Sequence, residues 1–182
     1  FLCGAPSALI LGDNIFFGHG LPKALSSAND MRTGATVFGY HVNDPEQYGV
    51  VGFDDTGKVT SIIEKPKKPA SSYVVTGLYF VDGTAPERAK RLVPSERGEL
   101  EIVSLLESYL VEGILKFEKM GRGFAWLDTG THTSLLDAGN FVRTLTQRQG
   151  LQVGSPDEIA FKLGWISLDI LKASANRYSK SA

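Results

Sequence analysis

The stretch "VVGFDDTGKVTSIIEKP", residues 50–66, followed by "SYVVTGLYFVD", residues 72–82, decides how the rest of the chain is read. Two runs rich in β-branched residues flank Asp55-Thr56-Gly57 and stop at Pro66, the pattern of a hairpin whose second strand cannot continue through a residue without an N–H. The third run is strongly strand-like over its whole length. Just upstream, "ATVFGYHV" (residues 35–42) reads as another strand and "NDPEQYG" (residues 43–49) as the loop between them.

Moving outward, helical periods alternate with further strands. "LPKALSSANDM" carries Leu21, Leu25 and Ala28 at helical spacing with Pro22 in its first turn, and Gly34 closes it. Ala85, Ala89 and Leu92 predict a short helix. Leu100, Val103, Leu106 and Leu110 predict a longer one ending near Gly113. "ILKFEKM" and "FAWLD" return to strands, and "SLLDAGNFVRTLTQRQ" is a helix with Gly150 just past its end. Ser155-Pro156-Asp157-Glu158 supplies an N-cap, a first-turn proline and a capping-box glutamate for a helical tail. The alternation predicts one α/β sheet with a small antiparallel excursion. Residues 1–150 are read as the main domain and 151–182 as a tail packed on it.

The amino end, "SALILGDNIFFGHG" (residues 7–20), is an apolar strand that stops on Gly12-Asp13-Asn14. It lacks the basic region of a signal peptide, so it belongs to the fold. Nineteen basic and 20 acidic residues in 182 leave a formal net charge of -1, which argues against a nucleic-acid partner. No apolar run approaches the ~20 residues needed to cross a bilayer, and a single Cys3 excludes an internal disulfide. A cytoplasmic protein with a small-molecule ligand fits.

In open α/β sheets ligands bind beyond the carboxyl ends of strands, so the residues where apolar runs stop are the informative ones. Asp13 follows "ALILG" and Asp128 follows "FAWL". Two such carboxylates suit Mg²⁺, which takes few protein oxygens and completes its shell with water and phosphate. Glu64-Lys65-Pro66 presents an acid and a base together. Each has an ordinary reading too: the aspartates as N-caps or Asx-turns, Glu64-Lys65 as a solvated turn, Arg97 as an exposed loop cation. Trp126 reads as half core. His19, His41 and His132 lack metal-ligand spacing, which argues against a zinc site. If the strand ends converge, two carboxylates for a metal and Lys65 with Arg97 for a phosphate fit phosphoryl or nucleotidyl transfer.

"LGDNIFFGHGL", "ATVFGYHVNDPEQYGVV", "EKPKKPASSYVVTGLYF", "PSERGELEI", "MGRGFAWLDTGTHTSLLDAGNF" and "RQGLQVGSPDEIAF" occur in one order over nearly the whole chain. This set resembles the glucose-1-phosphate thymidylyltransferase family. The resemblance implies a Rossmann-like three-layer nucleotidyltransferase fold with a mixed sheet. It implies transfer of a thymidylyl group from dTTP to glucose 1-phosphate, giving dTDP-glucose and pyrophosphate, with Mg²⁺ held by Asp13 and Asp128. Asn14, Gly49, Glu64, Lys65, Val75 and Arg97 match substrate-binding positions, and Lys65 and Arg97 are implied as catalytic. A dimer of dimers, feedback regulated by dTDP-L-rhamnose, belongs to the same implication.

Two departures stand beside it. The family's glycine-rich GGxGTRLxPxT loop does not occur here, so the chain resembles an enzyme truncated at its amino end. It is expected to be inactive and poorly soluble alone. Val103-Ser104 stands where the family has Thr-Asp. Alternative readings are an inactive sugar-phosphate-binding or assembly module, and a sister nucleotidyltransferase for another base or sugar.

Overall fold

A computed structural model describes residues 2–95 and 98–178. Two compact units form, residues 1–130 and residues 131–182. The first contains strands β1 (Ser7–Ile10), β2 (Asn14–Gly18), β3 (Ala35–His41), β4 (Gly49–Phe53), β5 (Val59–Glu64), β6 (Tyr73–Val81), β7 (Leu115–Lys119) and β8 (Phe124–Asp128). Its helices are α1 (Leu21–Asn29), α2 (Ala85–Ala89) and α3 (Ile102–Val111), with a 3-10 turn at Pro45–Gln47. The second contains α4 (His132–Gln149), α5 (Pro156–Lys162) and α6 (Leu168–Arg177).

β6 organises the first unit because nearly every side chain on it is buried, on both faces. An unbroken apolar run of this kind has no solvent face and belongs in the middle of a covered sheet. β3 runs antiparallel along one edge of β6 and parallel to β7 beyond it. The other edge is divided between two partners. β4 pairs with it at Val74, and β1 pairs with Leu78–Val81. Among the described residues no ladder pair falls between them, at Val75, Thr76 and Gly77.

The hairpin of β4 and β5 forms as the sequence predicts. Asp54 Oδ1 accepts from the Thr56 N–H at 2.9 Å, the Thr56 hydroxyl at 2.6 Å and the Lys58 N–H at 3.0 Å, while Gly57 takes a positive φ of 82°. α3 covers one face of the sheet: Val103 and Leu106 pack with Val37, Val51, Ile62, Val75 and Tyr79. Leu106 is fully buried, worth about 2 kcal/mol relative to exposure. α1 contributes Ala28 to a second cluster with Phe38, Leu78 and Met120, residues of opposite parity along the strands.

Three local expectations are corrected. α1 ends at Asn29, not at Gly34. Gly34 instead opens β3 with φ 92° and donates its N–H to Asp82 Oδ2 at 2.7 Å. Residues after Asp13 form a strand of their own, β2, which the run of aromatics and glycine concealed. It pairs antiparallel with β8 as a separate two-stranded ribbon. In α5 only half of the expected capping box forms. Ser155 Oγ accepts from the Glu158 N–H at 3.4 Å, but the Glu158 carboxylate turns to Lys162 one helical turn on. No described helix is long and apolar enough to cross a membrane.

Asp82, at the end of β6, is 6% exposed and accepts from the Gly34 N–H, the Thr84 N–H and hydroxyl, and the Tyr109 hydroxyl at 3.1 Å. Burial opposes its ionisation, yet these donors together hold its pKa below the ordinary value. Arg88 stacks 4.2 Å above the Tyr109 ring and forks onto Glu112, tying α2 to α3.

Candidate active site

The divided edge of β6 creates the site. Where β1 gives way to β4, the backbone of Gly77 has no strand partner on that side, and the turn after β1 supplies one. Leu11 donates its N–H to Gly77 O at 2.9 Å, and Gly77 donates its own to Asn14 Oδ1 at 3.1 Å. A Cβ at Gly77 would stand 2.6 Å from that oxygen, so the approach requires glycine.

The ribbon of β2 and β8 then brings the two strand-end acids together. Asn14 faces Asp128 across the ladder, which places Asp13 beside it. Thr129 locks the junction by donating its N–H at 2.8 Å and its hydroxyl at 2.9 Å to Asp13 O. The point a Cβ on Gly130 would occupy is 3.2 Å from Asp128 Oδ1 and 3.8 Å from Asp13 Oδ2, so both carboxylates border one small space. Asp128 Oδ1 also accepts from the Gly130 N–H at 3.0 Å.

The third strand end arrives from the hairpin. Gly49 faces Glu64, and Lys65 donates its N–H to Tyr48 O at 3.0 Å while holding a positive φ of 42° before Pro66. That backbone is strained for a residue with a Cβ. Lys65 Nζ lies 3.9 Å from Glu64 Oε1.

These elements enclose a cleft of about 190 Å³ whose walls include Asp13, Asn14, Gly49, Glu64, Lys65, Val75 and Asp128. Every predicted site residue but Arg97 is therefore in one place; Arg97 lies outside the described residues. Sequence reasoning missed Tyr48 and Tyr79 and read Trp126 only as half core; all three line the same cleft. A signal existed for Tyr79: Val75, Gly77 and Tyr79 alternate along β6 and so share a face. Burial, then the charge of Glu64, push the Tyr79 phenol up to about 12, keeping it a neutral donor at ordinary pH. The Tyr48 hydroxyl is raised by burial, then by Asp128 and Asp44. Val103 is a core side chain packed against Gly49.

A wider groove of about 830 Å³ lies elsewhere, between β5, α3 and β7. Two of its lysines are engaged locally: Lys116 pairs with Glu118 at 2.6 Å, and Lys119 sits 4.4 Å above the Phe53 ring and 4.9 Å from that of Tyr73. The smaller cleft holds the paired acids and is the better candidate.

A mixed sheet covered by helices, with two carboxylates and a lysine gathered at its strand ends, is the architecture of a phosphate-transferring α/β protein. The family model described as nucleotidyl transferase matches residues 2–144, and the chain belongs to that family. Glucose-1-phosphate thymidylyltransferase of Xanthomonas campestris pv. campestris (strain B100) is 59% identical over 175 residues, covering 96% of this chain and 59% of the relative. The enzyme of the same name from Mycobacterium tuberculosis (strain H37Rv) is 49% identical over 179 residues, covering 98% and 62%. The chain thus spans about three fifths of the length of the curated relatives it matches. A solved Bacillus anthracis structure carrying the provisional assignment glucose-1-phosphate thymidylyltransferase superposes with TM-score 0.66 at 41% identity, covering 77% of this chain and 55% of that one. Apo UDP-glucose pyrophosphorylase reaches TM-score 0.66 at 19% identity, covering 78% and 55%, a likeness of fold alone.

Proposed function

We propose that the protein transfers a thymidylyl group from dTTP to glucose 1-phosphate, forming dTDP-glucose and pyrophosphate, as the first step of dTDP-L-rhamnose synthesis. The phosphate oxygen of glucose 1-phosphate forms a bond to the α-phosphorus, and the bond to the bridging oxygen breaks as pyrophosphate leaves. The observation that carries this reading is that Asp13, Asp128 and Lys65 line one cleft, with Asp128 Oδ1 and Asp13 Oδ2 standing 3.2 and 3.8 Å from the Cβ point of Gly130. The similarity to thymidylyltransferases supports the choice of base and sugar.

The donor set fits Mg²⁺. Asp13 and Asp128 bring two hard carboxylates to one cleft, which suits an ion that keeps water and phosphate ligands. Asp13 and Asp128 would hold it, and it would neutralise charge on the reacting phosphates.

The chain's own groups do the rest by positioning and charge. Lys65 pairs with the sugar phosphate, held at the cleft by its left-handed backbone and Pro66. Glu64 accepts from glucose hydroxyls, and Gly49 and Val75 offer backbone groups. Asn14 contacts substrate with the amide N–H left over, and Arg97 makes a second phosphate contact. Residues 1–150 carry these groups, with 151–182 as a helical tail. A cytoplasmic location and a dimer of dimers belong to the same reading, supported by the family resemblance.

The test is formation of dTDP-glucose and pyrophosphate by the full-length gene product beside Asp128→Asn. Loss of at least about 100-fold in turnover is expected. Full activity in that variant sinks the metal assignment.

A further inference from the structure

The geometry points to Trp126 as a positioning residue for Asp13, acting through the side-chain amide of Asn14. The inference rests on the reading of Asp13 as a metal ligand and adds what aims it.

Asn14 Oδ1 receives two hydrogen bonds, from Trp126 Nε1 at 2.6 Å and from the Gly77 N–H at 3.1 Å. Both partners are donors with no acceptor capacity, so the atom between them must be the amide oxygen. That settles the direction of the amide. Its nitrogen is turned to Asp13, where Nδ2 donates to Oδ1 at 2.8 Å.

The anchor is rigid. Trp126 is 9% exposed, and its ring is met edge-on by Tyr48 at 5.2 Å and Tyr40 at 5.9 Å. Asp13 by contrast lies on an exposed turn, where an untethered carboxylate would rotate freely. Holding Oδ1 leaves Oδ2 as the oxygen presented toward Asp128, 3.8 Å from the Gly130 Cβ point. The chain of contacts thus divides the carboxylate into one tethered oxygen and one ligand oxygen. Outer hydrogen bonds of this kind reduce the freedom a ligand must lose on binding, and their removal typically costs 10–100-fold in metal affinity.

The experiment titrates Mn²⁺ into the full-length gene product without nucleotide, following free Mn²⁺ by electron paramagnetic resonance. The variants are Trp126→Phe, which keeps a ring and removes the N–H, Asn14→Ala, and the double. Near-UV circular dichroism and melting check the fold of each. Each single variant is expected to weaken Mn²⁺ on the order of tenfold. The double should be no weaker than Asn14→Ala alone, because Trp126 acts only through Asn14. A folded Trp126→Phe with undiminished affinity overturns the proposal, as do additive losses in the double. If Trp126→Phe does not fold, undiminished affinity in Asn14→Ala overturns it. A wild-type chain that binds no Mn²⁺ fails the metal reading itself, an outcome distinct from wild-type binding that the variants leave unchanged.

Discussion

Gly49 and Glu64 face one another across the β4–β5 ladder, and a Cβ at Gly49 would stand 3.3 Å from Glu64 Oε2 and 2.9 Å from both Val75 Cγ2 and Val103 Cγ2. The carboxylate therefore reaches its place in the cleft by passing over a residue with no side chain. Gly49→Ala should push Glu64 aside and strain the two valines, costing about 1–3 kcal/mol of stability. Steady-state kinetics should show KM for glucose 1-phosphate rising about tenfold, a loss of about 1.4 kcal/mol of binding. An unchanged KM would remove Glu64 from the sugar site.

Lys65 holds its backbone in the left-handed region before Pro66. An alanine at this position would keep that strain and a glycine would relieve it, so Lys65→Gly should be more stable than Lys65→Ala by about 1 kcal/mol in urea melts. Both should lose phosphate binding equally. A more stable Lys65→Ala would mean the left-handed turn is not kept.

Tyr79 and Glu64 are coupled, and ultraviolet titration of the phenol reads the coupling. In Glu64→Gln the pKa of about 12 should move down, though burial, the larger cause, keeps it above the ordinary 10 or so. A folded-state pKa that is raised means the contribution is intact below about pH 10 and is lost as pH climbs toward 12. Alkaline unfolding of the wild type should therefore steepen over that window, and less so in the variant.

Asp82 carries the opposite sign. Its folded-state pKa lies below the unfolded value of about 3.9, so its contribution is present above that pH and fades as pH falls through the folded value. Asp82→Asn replaces the oxygen facing the Gly34 N–H with a donor, leaving that buried group unpaired at about 1–3 kcal/mol. Denaturant melts should show the variant weaker at pH 7 and losing less than the wild type on further acidification.

Much of the site was legible because its signals are local. Asp13 and Asp128 each end an apolar run, Gly49 and Glu64-Lys65 bracket a hairpin, and every one of them reaches the same cleft. Arg97 lies outside the described residues. β2 escaped because "NIFFG" has the composition of a strand but no alternation, and its partner β8 lies more than a hundred residues away. Gly34 misled because a left-handed glycine ends a helix or begins a strand equally well, and only its bond to Asp82 separates the two.

The sequence by itself determined the strand-forming runs, the turns that break them and the acids and lysine set at their ends, because backbone preference and turn chemistry are decided within a few neighbouring residues. Only the tertiary structure decided that β1 and β4 divide one edge of β6, that Asn14 fills the gap, and that Trp126, Tyr48 and Tyr79 stand around it. Those relations depend on which distant strands pair and in what register, and that is settled by the joint burial of the whole sheet.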